Sequence, residues 1–117
     1  MSYSPGLHIV AELSSTNPVI LADSALVKSL LDEQIQKFSL NKLGEVYHNF
    51  EPGGFTAVIC LSESHISLHT WPEYKRVNLD IYLSNFKRVN DGVSQQIFDE
   101  LVAYFEASII SKQLIRR

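Results

Sequence analysis

Two runs of strict alternation lie close together in the middle of this chain. In His65–Trp71, Ile66, Leu68 and Thr70 fall on one side and His65, Ser67, His69 and Trp71 on the other. In Val77–Ser84, Val77, Leu79, Ile81 and Leu83 oppose Asn78, Asp80, Tyr82 and Ser84. A period of two is what a strand with one apolar face needs. The chain must therefore build a sheet whose apolar side is covered by something else.

The remaining segments supply the cover. Val27, Leu30, Leu31, Ile35 and Phe38 recur at three- and four-residue steps, which predicts an amphipathic helix over Ser24–Phe38 with Asp23 or Ser24 as N-cap. After Asp91-Gly92, the residues Val93, Ile97, Leu101, Tyr104, Phe105, Ser108 and Ile109 predict a second helix. His8–Leu13 alternates and Lys42–Phe50 reads as a strand, followed by a turn at Pro52-Gly53-Gly54. Phe55–Leu61 is almost wholly apolar and reads as a central strand buried on both faces, Cys60 included. Lys112–Arg117 is expected to fray. The order strand, helix, several strands, helix implies an α+β fold. It would be a two-layer sandwich, an antiparallel sheet with two helices on one face. Residues 1–117 form a single domain, and a second copy of the chain is a natural cover for the other face.

Composition removes several functional classes. The net charge is −3, so no basic footprint for nucleic acid exists. One cysteine, Cys60, allows neither an internal disulfide nor a Cys-rich zinc site. No segment approaches the roughly eighteen consecutive apolar residues of a membrane span. The N-terminus lacks the basic and apolar regions of a secretory signal, so a cytoplasmic protein is expected.

The chemistry-bearing stretch is Glu63-Ser64-His65-Ile66-Ser67-Leu68-His69-Thr70-Trp71-Pro72-Glu73-Tyr74. Alternation puts His65, Ser67 and His69 on the less apolar face, where a hydroxyl, an imidazole and a carboxylate could meet. From the residues alone, Ser and His side by side in a strand are more often hydrogen-bonded structural groups than a catalytic pair, and no triad can be assigned. His65 and His69 have a spacing that places metal ligands on one face of a helix, but this segment is a strand, so no metal is expected.

This stretch closely resembles the processing motif of the prokaryotic S-adenosylmethionine decarboxylases, small pyruvoyl-dependent enzymes of polyamine synthesis. The likeness runs from Gly6-Leu7-His8-Ile9-Val10-Ala11-Glu12 to Asp80-Ile81-Tyr82. It implies self-cleavage between Glu63 and Ser64, giving a β chain of residues 1–63 and an α chain of residues 64–117. The Ser64 hydroxyl would attack the Glu63 carbonyl, the amide would become an ester, and elimination with hydrolysis would leave a pyruvoyl group at Ser64. That group's carbonyl would bind the substrate amine and take up electrons as CO₂ leaves.

The resemblance also implies that His69 assists the elimination. Thr56 occupies a processing position where the family usually has Ser. Phe50 matches the aromatic that stacks on adenine, and Glu73 the carboxylate that holds the ribose hydroxyls. S-adenosylmethionine would be the substrate, its product would serve spermidine synthesis, and the enzyme would be a homodimer with sites near the protomer interface. His8 and His48 read as structural and Trp71 as packing.

Departures from the family pattern are specific. Where the family carries a cysteine, usually followed by Gly, as the acid that returns a proton to the substrate carbon, this chain has Ser84-Asn85. A hydroxyl is a far weaker acid than a thiol of pKa near 8.5. Tyr82, on the same strand face, is an alternative donor. Lys75-Arg76 stands where Gly and an aromatic are common. Two other outcomes fit such changes: a pyruvoyl-dependent decarboxylase of arginine or ornithine on the same scaffold, and an uncleaved homologue acting as a partner subunit.

Overall fold

Alternation in the sequence becomes one apolar sheet face in the fold. The computed structural model describes residues 3–117. In chain order the elements are β1 (Leu7–Ser14), α1 (Pro18–Ala22), α2 (Ala25–Lys37), β2 (Lys42–Asn49), β3 (Phe55–Leu61), β4 (Ser64–Trp71), β5 (Arg76–Leu83), α3 (Asp91–Tyr104) and β6 (Ser108–Arg116). A 3-10 turn at Pro72–Tyr74 joins β4 to β5. The strands lie in the order β2-β3-β4-β5-β1-β6, and every neighbouring pair is antiparallel. This is the expected α+β two-layer sandwich.

The core forms where sheet stripe and helix stripe meet. Ile9, Leu13, Ile59, Ile66, Leu68, Leu79 and Ile81 from the strands join Val27, Leu31, Ile97, Phe98, Leu101 and Phe105 from α2 and α3 in one buried cluster. Each large side chain taken from water contributes about 1.5–3 kcal/mol to folding. Helix starts are tied locally. Asn17 caps α1 with its Oδ1, accepting from the amides of Val19 at 3.1 Å and Ile20 at 3.4 Å. At α2, Ser24 occupies the N-cap position without a side-chain cap, while the Asp23 carboxylate accepts from the Ala25 amide at 2.7 Å.

Three expectations are corrected. β3 is buried on one face only. Phe55, Ala57, Ile59 and Leu61 point into the core, while Val58 and Cys60 are exposed, because no element covers the other side of the sheet. The second helix stops at Tyr104 rather than running through Ser108 and Ile109. Glu106 takes a left-handed φ of +52° and the Ala107 amide turns back to the Val102 carbonyl at 3.0 Å, ending the helix without glycine. The tail is not frayed: β6 pairs with β1 from Ser14 to Leu7, and Gly6 and Arg117 exchange backbone hydrogen bonds of 2.8 and 3.1 Å.

Two glycines hold places that a side chain could not. A Cβ at Gly6 would lie 2.5 Å from the Leu83 carbonyl oxygen, so β1 can close on the end of β5 only with glycine there. Gly54 has a φ of +99° and backs onto Pro72 and the Thr70 carbonyl. Among the described residues, no helix is long and apolar enough to cross a membrane.

Candidate active site

β4 carries the motif, and its two ends carry different chemistry. At its start, Ser62 and Glu63 form the turn from β3, and Leu61 and Ser64 face each other across it. Ser64 has a φ of +134°, a conformation that costs a serine energy and that the surrounding structure must impose. Glu63 is held on both sides. Its carboxylate accepts from the Asn41 amide at 3.1 Å and from the Ser62 hydroxyl at 3.2 Å. Its carbonyl oxygen accepts from the Ser84 amide at 2.7 Å. A cavity of about 450 Å³ opens beside Glu63, lined by Glu63, Ser84, Phe86, Lys87, Arg88 and Asn90 among others. The Arg88 guanidinium is anchored to the Phe38 carbonyl. Ser84 also borders a smaller cavity with Tyr82 and Arg117.

At the far end of β4, His69 pairs directly with Thr56 on β3, and the Thr56 hydroxyl lies 3.0 Å from His69 Nδ1. That contact leaves Nε2 as the free ring nitrogen. A second cavity of about 410 Å³ lies here, and Phe50, Thr56, His69, Trp71 and Glu73 share its wall. Phe50 is 49% exposed, with its ring against the His48 imidazole at 4.7 Å. Trp71 is also exposed rather than packed, and its indole N–H donates to Asn78 Oδ1 at 2.6 Å. Behind the cavity the buried Thr70 hydroxyl donates to the Leu21 carbonyl at 2.7 Å and accepts from the Phe55 amide at 2.9 Å. The Gly54 amide adds a bond to the Ala22 carbonyl at 3.1 Å. Together these bonds fix α1 and the turn that presents Phe50.

The structure thus gathers Thr56, His69, Phe50 and Glu73 at one end and Glu63, Ser64 and Ser84 at the other. It does not bring Ser64 to His69. Five residue steps of extended strand separate them, roughly 17 Å at about 3.3–3.4 Å per residue. Ser67 lies between the two ends, opposite Val58 and Asp80, and His69 bonds to Thr56 rather than to it.

The uncovered face carries a further group. His8, His65 and Tyr82 sit side by side on β1, β4 and β5, with ring centroids 5.3–6.0 Å apart. His8 Nε2 lies 3.3 Å from Asp80 Oδ1. Burial holds the His65 imidazole below the usual histidine range; the nearby His8 adds to this and Asp80 opposes it. Among the described residues, no three His, Cys, Asp or Glu side chains are grouped as metal ligands.

Comparison with known proteins places this arrangement. A sequence profile described as S-adenosylmethionine decarboxylase matches residues 7–117. The chain is 46% identical over 77 residues to the S-adenosylmethionine decarboxylase proenzyme of Archaeoglobus fulgidus, covering 66% of this chain and 69% of that protein. It is 38% identical over 108 residues to the proenzyme of Picrophilus torridus, covering 89% of this chain and 83% of the relative. The crystal structure of the adenosylmethionine decarboxylase from Aquifex aeolicus superposes with a TM-score of 0.85 at 28% identity, over 99% of this chain and 92% of that one. A match over nearly the whole chain, in sequence and in backbone, makes this protein a member of the S-adenosylmethionine decarboxylase family.

Proposed function

We propose that the chain is a cytoplasmic, self-processing S-adenosylmethionine decarboxylase whose product supplies aminopropyl groups for spermidine synthesis. The observation that carries this reading is the Glu63–Ser64 bond itself. It sits at a tight turn, its serine is strained at φ +134°, and the carbonyl to be attacked already accepts a hydrogen bond of 2.7 Å from Ser84. In the acyl shift, Ser64 Oγ adds to the Glu63 carbonyl carbon and negative charge collects on the carbonyl oxygen. The Ser84 amide points at that atom and stabilises the charge. The C–N bond then breaks, the proton released by the hydroxyl passes to the new amine, and residues 1–63 hang on Ser64 as an ester. Removal of the Ser64 Cα proton expels the Glu63 carboxylate. Hydrolysis of the remaining enamine releases ammonia and leaves the pyruvoyl terminus.

The residues present fit such a group: a serine at the turn, a fixed donor on its neighbour's carbonyl, and an open cavity that Glu63 lines. When formed, the pyruvoyl group supplies the ketone carbonyl that binds the substrate amine and accepts electrons as CO₂ leaves. The rest falls to the chain's own side chains. Phe50 offers a face to the adenine and to the sulfonium charge. Glu73 accepts from the ribose hydroxyls. These two sharing one cavity support an adenosyl substrate over arginine or ornithine. Ser84, which shares a cavity wall with Glu63, relays the proton that returns to the substrate carbon.

The separation along β4 supports a site built from two copies. A His69 roughly 17 Å from Ser64 cannot take its Cα proton within one chain. On the uncovered sheet face Val46 and Val58 pair side by side and stay exposed, a small apolar patch that a second copy would bury. In a homodimer, His69, Thr56, Phe50 and Glu73 of one protomer complete the site at Ser64 and Ser84 of the other.

The test is release of labelled CO₂ from carboxyl-labelled S-adenosylmethionine, arginine and ornithine by the wild-type chain and by Ser64→Ala. The reading expects release from the first substrate only, and none from the variant. Release from arginine or ornithine alone, or equal release by Ser64→Ala, overturns it.

A further inference from the structure

Ser84 N–H can stabilise charge on Glu63 only if the backbone after β5 is held still, and the structure holds it through side chains that the motif does not include. Asn85 is 9% exposed. Its Oδ1 accepts from the Asn90 amide at 2.7 Å, and its Nδ2 donates to the Pro5 carbonyl and to Asp91 Oδ1, both at 3.1 Å. The side-chain amide can face only one way, because the Asn90 N–H can only donate and the Pro5 carbonyl can only accept. Asn90 is itself buried, and its Nδ2 returns to the Ser84 carbonyl at 2.8 Å. Asp91 is gripped in turn by Arg116 from β6, at 3.0 Å on Oδ1 and 2.8 Å on Oδ2.

We propose that Asn85 is a positioning residue for self-cleavage: it folds the segment from Ser84 to Asp91 onto itself so that the Ser84 amide stays aimed at the Glu63 carbonyl. This rests on the self-cleavage reading above. The residue type matters. The position calls for one acceptor and two donors, which asparagine supplies and alanine or glycine does not. Aspartate at the same place would set a second carboxylate against Asp91 and the Pro5 carbonyl.

The experiment follows cleavage of freshly synthesised full-length chain by intact mass, with and without hydroxylamine. Hydroxylamine attacks the ester directly, taking Glu63 as a hydroxamate and leaving Ser64 as an unmodified N-terminal serine. Cleavage in its presence therefore reports the acyl shift alone. Asn85→Ala is expected to slow cleavage by about 10- to 100-fold in both conditions, short of the 10²–10³-fold that follows outright loss of an oxyanion donor. Asn90→Ala is expected to behave likewise, and the double variant to be no slower than the slower single one, since both act through Ser84. If Asn85→Ala does not melt cooperatively, Asn85→Ser, which keeps an acceptor for the Asn90 amide, is read in its place.

Wild-type rates in the folded variants overturn the positioning role and leave self-cleavage standing. A slowing that hydroxylamine abolishes also overturns it, because the defect then lies in the elimination. A wild-type chain that never cuts overturns both readings.

Discussion

The Ser84 amide donates to the Glu63 carbonyl oxygen across 2.7 Å, joining the end of β5 to the bond that precedes β4. The donor is backbone, so replacing the Ser84 side chain leaves it in place. On the proposed reading this position has two roles, charge stabilisation by the amide and proton return by the side chain, and substitution can separate them.

Ser84→Cys is therefore expected to leave the rate of self-cleavage unchanged and to raise turnover of S-adenosylmethionine by at least about tenfold, because a thiol near pKa 8.5 yields its proton more readily than a hydroxyl. A time course by mass and a CO₂-release assay read the two effects separately. A faster cut with no gain in turnover would assign the side chain to processing instead.

A site completed by two copies predicts complementation. Ser64→Ala alone stays uncut, and His69→Ala alone stops at the ester. Mixed in one dimer, the His69→Ala chain supplies Ser64 and the Ser64→Ala chain supplies His69. One site in two is then whole, and the His69→Ala chain is cut to a pyruvoyl terminus. Co-expression followed by intact mass checks this. Persistence of an uncut His69→Ala chain in isolated mixed dimers would place both groups in one protomer's site.

Much of the frame was legible before the structure, for a physical reason. β4 and β5 carry one apolar face each, so their alternation states which side is covered, and the burial of Ile66, Leu68, Val77, Leu79 and Ile81 follows. β6 was not legible. Ile109 lies four residues beyond Phe105 and prolongs the helical spacing of α3, and the stop is made by Glu106 at φ +52° rather than by a glycine. β3 misled in the opposite sense: Val58 and Cys60 are apolar yet face the uncovered side, so composition alone suggested burial on both faces. Within the site, the motif pointed to the Glu63–Ser64 bond, which lies at the turn into β4. The distance from Ser64 to His69 was countable from the strand rise, but its consequence appeared only once both ends of β4 had cavities of their own. Asn85 gave no signal of its role, because its partners Pro5, Asn90 and Asp91 converge only in the fold.

His65 gives the chain an acid-sensitive step. Its folded pKa lies below the unfolded value near 6.5, so the unfolded chain takes up the proton first as pH falls. The native state's advantage is whole above about pH 6.5 and is lost as pH falls from there through the lowered value. Burial is the main cause; His8 and Arg117 add to it and Asp80 opposes it. Urea midpoints should decline from about pH 7 to about pH 5 more steeply in wild type than in His65→Gln. A shallower decline in wild type would mean that the folded state favours the protonated ring.

Thr70→Val removes the two buried bonds that tie β4 to Leu21 and Phe55 while keeping the side chain's shape. The variant should lose about 1–3 kcal/mol of stability, the usual cost of leaving a buried backbone group without its partner. Because α1 and the Phe50 turn hang on these bonds, KM for S-adenosylmethionine should rise more than kcat falls. Thermal melting and steady-state kinetics test both parts, and an unchanged Tm would show that the bonds contribute nothing net.

The central claim is that the Glu63–Ser64 bond cuts itself, and the mass of the purified wild-type chain under denaturing conditions tests it most directly. Two polypeptides are expected, one of residues 1–63 and one of residues 64–117 whose first residue has lost its amine and become pyruvoyl. A single chain of 13.2 kDa, unchanged over days, would contradict it.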